Sequence, residues 1–220
     1  MTTELLAALD AAWQPARLSG ALGSATIEDL RRHSAGFVAA VLARFGPDHA
    51  GKGADIGTGA GLPGAFVAWA LPLWEWVLVD SSARRCELAE AATAALNLGD
   101  RVTVLHSRAE ETAADLIRPD ELPDGDVGGP FDAVTARLFG SPAETVEVGL
   151  SLAASGGVLV ASIREADRTW WETLPQRLTG VASAQVSDRE GFPFASVARG
   201  PAWDRSLPRR PAARRRIPLA

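Results

Sequence analysis

The sequence predicts an α/β fold with a doubly wound, mostly parallel sheet, and three observations predict it. From Gly53 onward, short apolar segments alternate with amphipathic ones; buried parallel strands read as continuous apolar runs, and helices make their crossovers. A glycine-rich turn, Gly57-Thr-Gly59-Ala-Gly61, separates the first apolar segment from the first amphipathic one. An acid, Asp80, closes the second apolar segment, at the strand end where open α/β sheets place ligand contacts.

The elements follow in order. Residues 1–48 read as a helical extension: one helix opens at Glu4, and a second opens at Thr26, with Ser24 or Thr26 as its cap and Asp29 three residues after Thr26. Gly46-Pro47 ends it. Strands are expected at 54–57, 76–80, 101–106, 131–136 and 157–163, with helices at 62–70, 82–96, 109–116 and 142–153 between them. A helix at 167–178 and two strands at 183–187 and 195–199 complete the pattern, and the Pro-, Gly- and acid-rich stretch 119–130 reads as a loop. The expected organisation is an extension (1–48), a nucleotide-type domain (49–204) and an arginine-rich tail (205–220).

Composition bounds the function. At 220 residues and 47% hydrophobic content the chain can bury one full core. A single cysteine, Cys86, excludes an internal disulfide framework and fits a reducing cytoplasm. Met1-Thr-Thr-Glu lacks a basic leader, and the apolar stretch 64–79 contains Pro72 and Glu75, so a helix followed by a strand is expected there and no membrane partner. No His/Cys cluster has metal spacing. A cytoplasmic monomer is the expectation. Residues 205–220 hold six arginines and no acid, which turns the formal net charge of −5 into −11 for the first 204 residues. An arginine-rich end on an acidic body points either to a polyanion contact or to a solvated tail.

The turn carries the chemistry. Glycines let the backbone approach a ligand, and the following helix offers unpaired N–H groups. Asp80 can accept hydrogen bonds from ribose hydroxyls. A nicotinamide fingerprint, G-x-G-x-x-G, fits from Gly59 but only in a shifted register, and Asp55 just before the glycines would repel a pyrophosphate. That carboxylate suits a cationic sulfonium cofactor, S-adenosyl-L-methionine, bound across Asp55, Gly57, Gly59, Gly61 and Asp80.

These residues resemble a known family. Asp55-Ile-Gly-Thr-Gly-Ala-Gly-Leu-Pro-Gly64 followed by Leu78-Val-Asp-Ser-Ser-Ala-Arg-Arg85 is similar to the bacterial ribosomal RNA small subunit methyltransferase G family, also called glucose-inhibited division protein B. Leu62-Pro63-Gly64 is the more specific part. Ile27–His33, Ser107–Glu111, Thr135–Phe139 and Pro208-Arg-Arg-Pro211 extend the likeness along most of the chain. The resemblance implies a class I, Rossmann-like methyltransferase that modifies N7 of a guanine in 16S rRNA or a small-subunit precursor. It implies further cofactor contacts at Leu62, Ser81, Ala109 and Glu110. Arg137, after the fourth strand, is expected to steer the cofactor carboxylate or an RNA phosphate. The chain departs from the family at the end of the fifth strand, where Ser162-Ile-Arg-Glu165 replaces a Lys-Gly pair.

No catalytic side chain is expected. Guanine N7 has a free lone pair, so transfer needs alignment and no general base. Cytosine C5 chemistry would need a nucleophilic cysteine, and Cys86 reads as a small packing residue. Exocyclic-amine chemistry brings an Asn/Asp-Pro-Pro-aromatic motif, where this chain has Ala136-Arg-Leu-Phe139. A small-molecule methyltransferase and a catalytically silent cofactor-binding relative remain the alternatives.

Overall fold

The computed structural model describes residues 3–116, 130–204 and 206–209. Three helices come first: α1 (Thr3–Ala12), α2 (Gln14–Leu18) and α3 (Ile27–Phe45). Of the two candidates, Thr26 caps α3, its hydroxyl accepting the Asp29 N–H at 3.0 Å. Gly46 closes the helix at φ +83°, a left-handed conformation that glycine adopts without a Cβ penalty.

The alternating region then runs β1 (Lys52–Ile56), α4 (Gly64–Ala70), β2 (Glu75–Asp80), α5 (Ala83–Ala95), β3 (Val102–His106), α6 (Ala109–Leu116), β4 (Phe131–Arg137), α7 (Pro142–Leu152) and β5 (Ala153–Ser162). A 3-10 turn at Glu165–Asp167 leads into α8 (Arg168–Glu172), α9 (Leu174–Arg177), β6 (Val181–Arg189) and β7 (Phe192–Arg199). The seven strands lie in the order β3-β2-β1-β4-β5-β7-β6. β1 to β5 are parallel, and β7 runs antiparallel to both β5 and β6. The order reverses between β1 and β4, which opens a crevice at the carboxyl ends of those strands.

Alternation along each strand builds two cores. Ala133, Val158, Val160 and Phe194 pack under α3 and α4 with Leu30, Phe37 and Phe66. Ala54, Ile56, Val134, Leu159 and Val197 face the other way, against α7 residues Val146 and Leu150 and against Trp171. Trp74, Trp76 and Trp171 are buried, so these tryptophans serve packing. Among the described residues no helix is long and apolar enough to cross a membrane.

Several boundaries differ from the sequence expectation. The expected helix 62–70 begins at Gly64, after the turn that runs to its N-cap Pro63. β5 begins four residues early, at Ala153, and its pairing with β4 is irregular between Phe131 and Ala133. The expected helix 167–178 is two short helices, with Pro175 near the start of the second; a proline lacks the N–H that would have continued the first. The expected loop lies outside the described residues except for Pro130, as do Arg205, Arg210 and Arg214–Arg216.

The described end of the chain is tied down. Trp203 donates from Nε1 to Ser151 Oγ at 3.2 Å. The Glu147 carboxylate on α7, 1% exposed, accepts from the Arg209 backbone N–H and from its Nε and Nη2, at 2.5, 3.1 and 2.7 Å. Arg209 is thus committed to a buried ion pair.

Candidate functional site

A cleft of about 380 Å³ opens at the carboxyl ends of β1, β2, β3 and β4. Its floor is the turn after β1. Gly57, Gly59 and Gly61 have φ +66°, +60° and +85°, where L side chains are strained. A second requirement acts at Gly64, where α4 presses on the strand ends: an added Cβ would lie 2.4 Å from Leu78 and 2.7 Å from Asp55. Trp13, buried between α1 and α2, donates from Nε1 to the Ala60 carbonyl at 3.1 Å. The N-terminal helices therefore hold the turn from outside, and Ala21 reaches the cleft wall.

Asp80 organises the cleft. Its Oδ2 accepts the Gly59 N–H at 2.9 Å. Its Oδ1 accepts the Ser82 N–H at 2.9 Å and pairs with Arg85 through Nε at 2.9 Å and Nη2 at 2.8 Å. A carboxylate oxygen has two lone pairs, so Oδ2 keeps one and Oδ1 is saturated. Ser81, Ser107, Ala109 and Glu110 continue the wall, and Leu138 and Phe139 form the opposite lip. Phe139 lies over Gly57. Leu138 is 82% exposed at φ +55°.

The structure brings Gly57, Gly59, Asp80, Ser81, Ala109 and Glu110 together around one space. It does not put Asp55, Gly61, Leu62 or Arg137 among the lining residues. Asp55 lies fully buried beneath the turn, accepting the Gly64 N–H at 3.0 Å and the Thr135 hydroxyl at 2.6 Å. The Thr58 hydroxyl is buried beside it and counts among the groups that favour its charged form. Gly61 packs on Ala65 and Ala89, and Leu62 is buried. Arg137 is half-buried between Asp55 and His33, and burial lowers its pKa. Cys86 is buried, with its thiol pointing at the Asp80 and Leu105 carbonyls and its pKa raised by burial; it serves packing.

Arg85, Ser107 and Leu138 escaped the sequence reading. Arg85 stood in the quoted motif five residues after Asp80, one turn into α5, and that spacing is the signal that finds it. Ser107 and Leu138 need the strand ends to be aligned first.

Buried Asp55 and half-buried His33 set opposing pH responses. Burial raises the Asp55 pKa to about 6 from 3.8, against the bonds from Thr135, Thr58 and Gly64 and the charge of Arg137. A raised pKa contributes stability below 3.8 that is lost as pH climbs through 6. Burial, then Arg137, lowers the His33 pKa to about 4 from 6.5. Its contribution is present above 6.5 and lost as pH falls through 4. The two slopes oppose across this window. Asp55→Asn removes one of them, so the variant's unfolding free energy is expected to rise with pH more steeply than the wild type's. The difference should be roughly 1–2 kcal/mol between about pH 4.5 and 6.5. Urea unfolding at the two pH values measures it, and equal slopes would mean that Asp55 ionises at its ordinary pH.

Comparison with known proteins fits this arrangement. A model of the family described as rRNA small subunit methyltransferase G matches residues 30–186. The chain is 35% identical over 107 residues to the ribosomal RNA small subunit methyltransferase G of Burkholderia thailandensis, spanning 49% of this chain and 42% of the relative. It is 33% identical over 146 residues to that of an Anaeromyxobacter species, spanning 66% and 61%. The chain thus spans about half the length of the curated relatives it matches. Among solved structures, an O-methyltransferase from Bacillus cereus in complex with SAH superposes with a TM-score of 0.62 at 17% identity, over 88% of this chain and 90% of that one. A cofactor-bound protein from MTB, Rv0187, superposes at 0.53 and 22%, over 88% and 86%. At those identities the likeness is one of fold.

Proposed function

This chain belongs to the rRNA small subunit methyltransferase G family, and from that premise we propose that it binds S-adenosyl-L-methionine in the β1–β4 cleft and methylates N7 of a guanine in 16S rRNA. The observation that carries the reading is the Asp80 carboxylate. It fixes the glycine turn through Gly59 and retains a free lone pair on Oδ2 at the cleft wall.

The residues present fit the cofactor. A Cβ added at Gly59 would meet no protein atom within 4 Å, so the turn leaves open space for a ligand. The Asp55 carboxylate beneath the turn supplies negative polarity suited to an ammonium and sulfonium group. We assign Gly57, Gly59, Asp80, Ser81, Ala109 and Glu110 to direct contact. Asp55, Gly61 and Leu62 shape the turn from behind. When bound, S-adenosylmethionine supplies an electrophilic methyl group.

The chain's own work is alignment. Asp80 accepts one ribose hydroxyl on Oδ2, and Arg85 must release Oδ1 for a second. Leu138 and Phe139 form an apolar lip at the substrate side and exclude water from the methyl path. Arg137, with no hydrogen-bond acceptor among the described residues, is free to take an anionic group. Positioning of this kind supplies roughly 7–11 kcal/mol without an acid or base.

Transfer of labelled methyl to 16S rRNA, with mapping of the modified base, tests the reading; label on another RNA, or on none, overturns the substrate. Asp80→Ala is expected to weaken S-adenosylhomocysteine at least tenfold by calorimetry, since each bond to the carboxylate contributes about 1.5–3 kcal/mol. Unchanged affinity would place the ribose elsewhere.

A further inference from the structure

The α3 face of the sheet carries a second basic feature, separate from the cleft. Between α3 and the edge pair β6–β7 lies a groove of about 390 Å³ whose polar lining is Arg44, Ser183, Gln185, Arg189 and Ser196, with no acid among its lining residues. On a chain with formal net charge −5, an acid-free groove holding two arginines is a local reversal of field. Arg189 Nε is buried with no hydrogen-bond partner, and Arg44 uses one Nη2 contact, 2.8 Å to the Gly156 carbonyl. Neither makes an ion pair among the described residues.

Strand register links this groove to the reaction edge. Arg137 pairs with Ser162, Ser162 with Phe194, and Phe194 with Ser187, two residues before Arg189. Three strand spacings of about 4.8 Å thus separate the β4 end from β6. Arg189 is the cross-strand partner of Phe192. The His33 ring lies 4.6 Å from Phe192 and 5.3 Å from Phe194, and Arg32 sits 5.5 Å over Phe192. Every side chain in this row is on one face of the sheet. Arg44 lines the same groove from α3, and Arg32, on α3 over Phe192, is paired with Asp29 at 3.2 Å. Asp188 points to Arg168.

We propose that this groove is a phosphate track that holds the RNA strand flanking the target nucleotide, running from Arg137 past Arg32 to Arg189 and Arg44. The proposal rests on the rRNA reading of the cleft. The row offers guanidinium groups for phosphates. The described C-terminal arginine, Arg209, is committed to Glu147 and adds no free charge to this surface.

The test uses the full chain and 16S rRNA. In wild type, methyl transfer and the salt dependence of RNA affinity are measured first; no transfer defeats the rRNA reading itself and not this surface. Given transfer, Arg189→Ala is expected to raise KM for RNA about fivefold and to flatten the log–log salt slope by about 0.7, the value for one lost single-strand contact. Arg44→Ala should act in the same direction. Arg189→Lys should keep the slope, since the charge remains. S-adenosylhomocysteine affinity should be unchanged in all three. Arg177→Ala, on α9 over the opposite face, serves as the charge-matched control. An unchanged slope in Arg189→Ala, or an equal loss in Arg177→Ala, would overturn the track.

Discussion

Gly59→Val is expected to abolish S-adenosylmethionine binding, by more than 100-fold or about 2.7 kcal/mol, while the far-ultraviolet circular dichroism stays that of the folded chain. Gly59 sits at φ +60°, a conformation in which a β-branched residue is an outlier and costs roughly 1–2 kcal/mol. The turn can relax that strain only by rotating, and rotation breaks the 2.9 Å bond from the Gly59 N–H to Asp80. The added side chain meets no protein atom within 4 Å, so the core is untouched and the space lost is the ligand's. Calorimetry with S-adenosylhomocysteine reads the effect. A variant that binds within a few-fold of wild type would show that the turn does not touch the cofactor.

Arg209→Ala should produce the largest loss of stability, about 3 kcal/mol, because it leaves the Glu147 carboxylate buried without its countercharge. Glu147 is 1% exposed on the side-chain scale and Arg209 20%; the penalty therefore falls on the acid. For a domain of this size the melting temperature should fall by roughly 6–12 °C. Glu147→Gln in the same background should recover part of the loss, since the neutral amide costs less to bury. Calorimetric scans of the two variants decide it; a melting point within 2 °C or so of wild type in Arg209→Ala would mean that water reaches Glu147. The same ion pair bears on the arginine-rich end, whose first described member is structural and whose other arginines lie outside the described residues.

Periodicity located the alternating elements, because a strand buried on both faces must be apolar throughout and a covering helix must be amphipathic. The capping pair at Thr26 and Asp29 and the glycine turn before α4 were equally local, since each depends on residues a few positions apart. Asp80 could be named for the same reason. What these residues do to one another could not. Asp55 and Asp80 look alike in the chain, yet tertiary packing buries the first under Gly64 and Thr135 and leaves the second at the cleft wall. Arg137, Arg189 and Arg209 are three arginines with no local mark to distinguish them. Strand order sets Arg137 between two buried titratable groups, the β6–β7 hairpin turns Arg189 into an acid-free groove, and docking on α7 commits Arg209 to Glu147. Local sequence determines backbone conformation through short-range sterics and hydrogen bonds, whereas a charge's role depends on burial and on partners tens of residues away, and only the folded sheet brings those together.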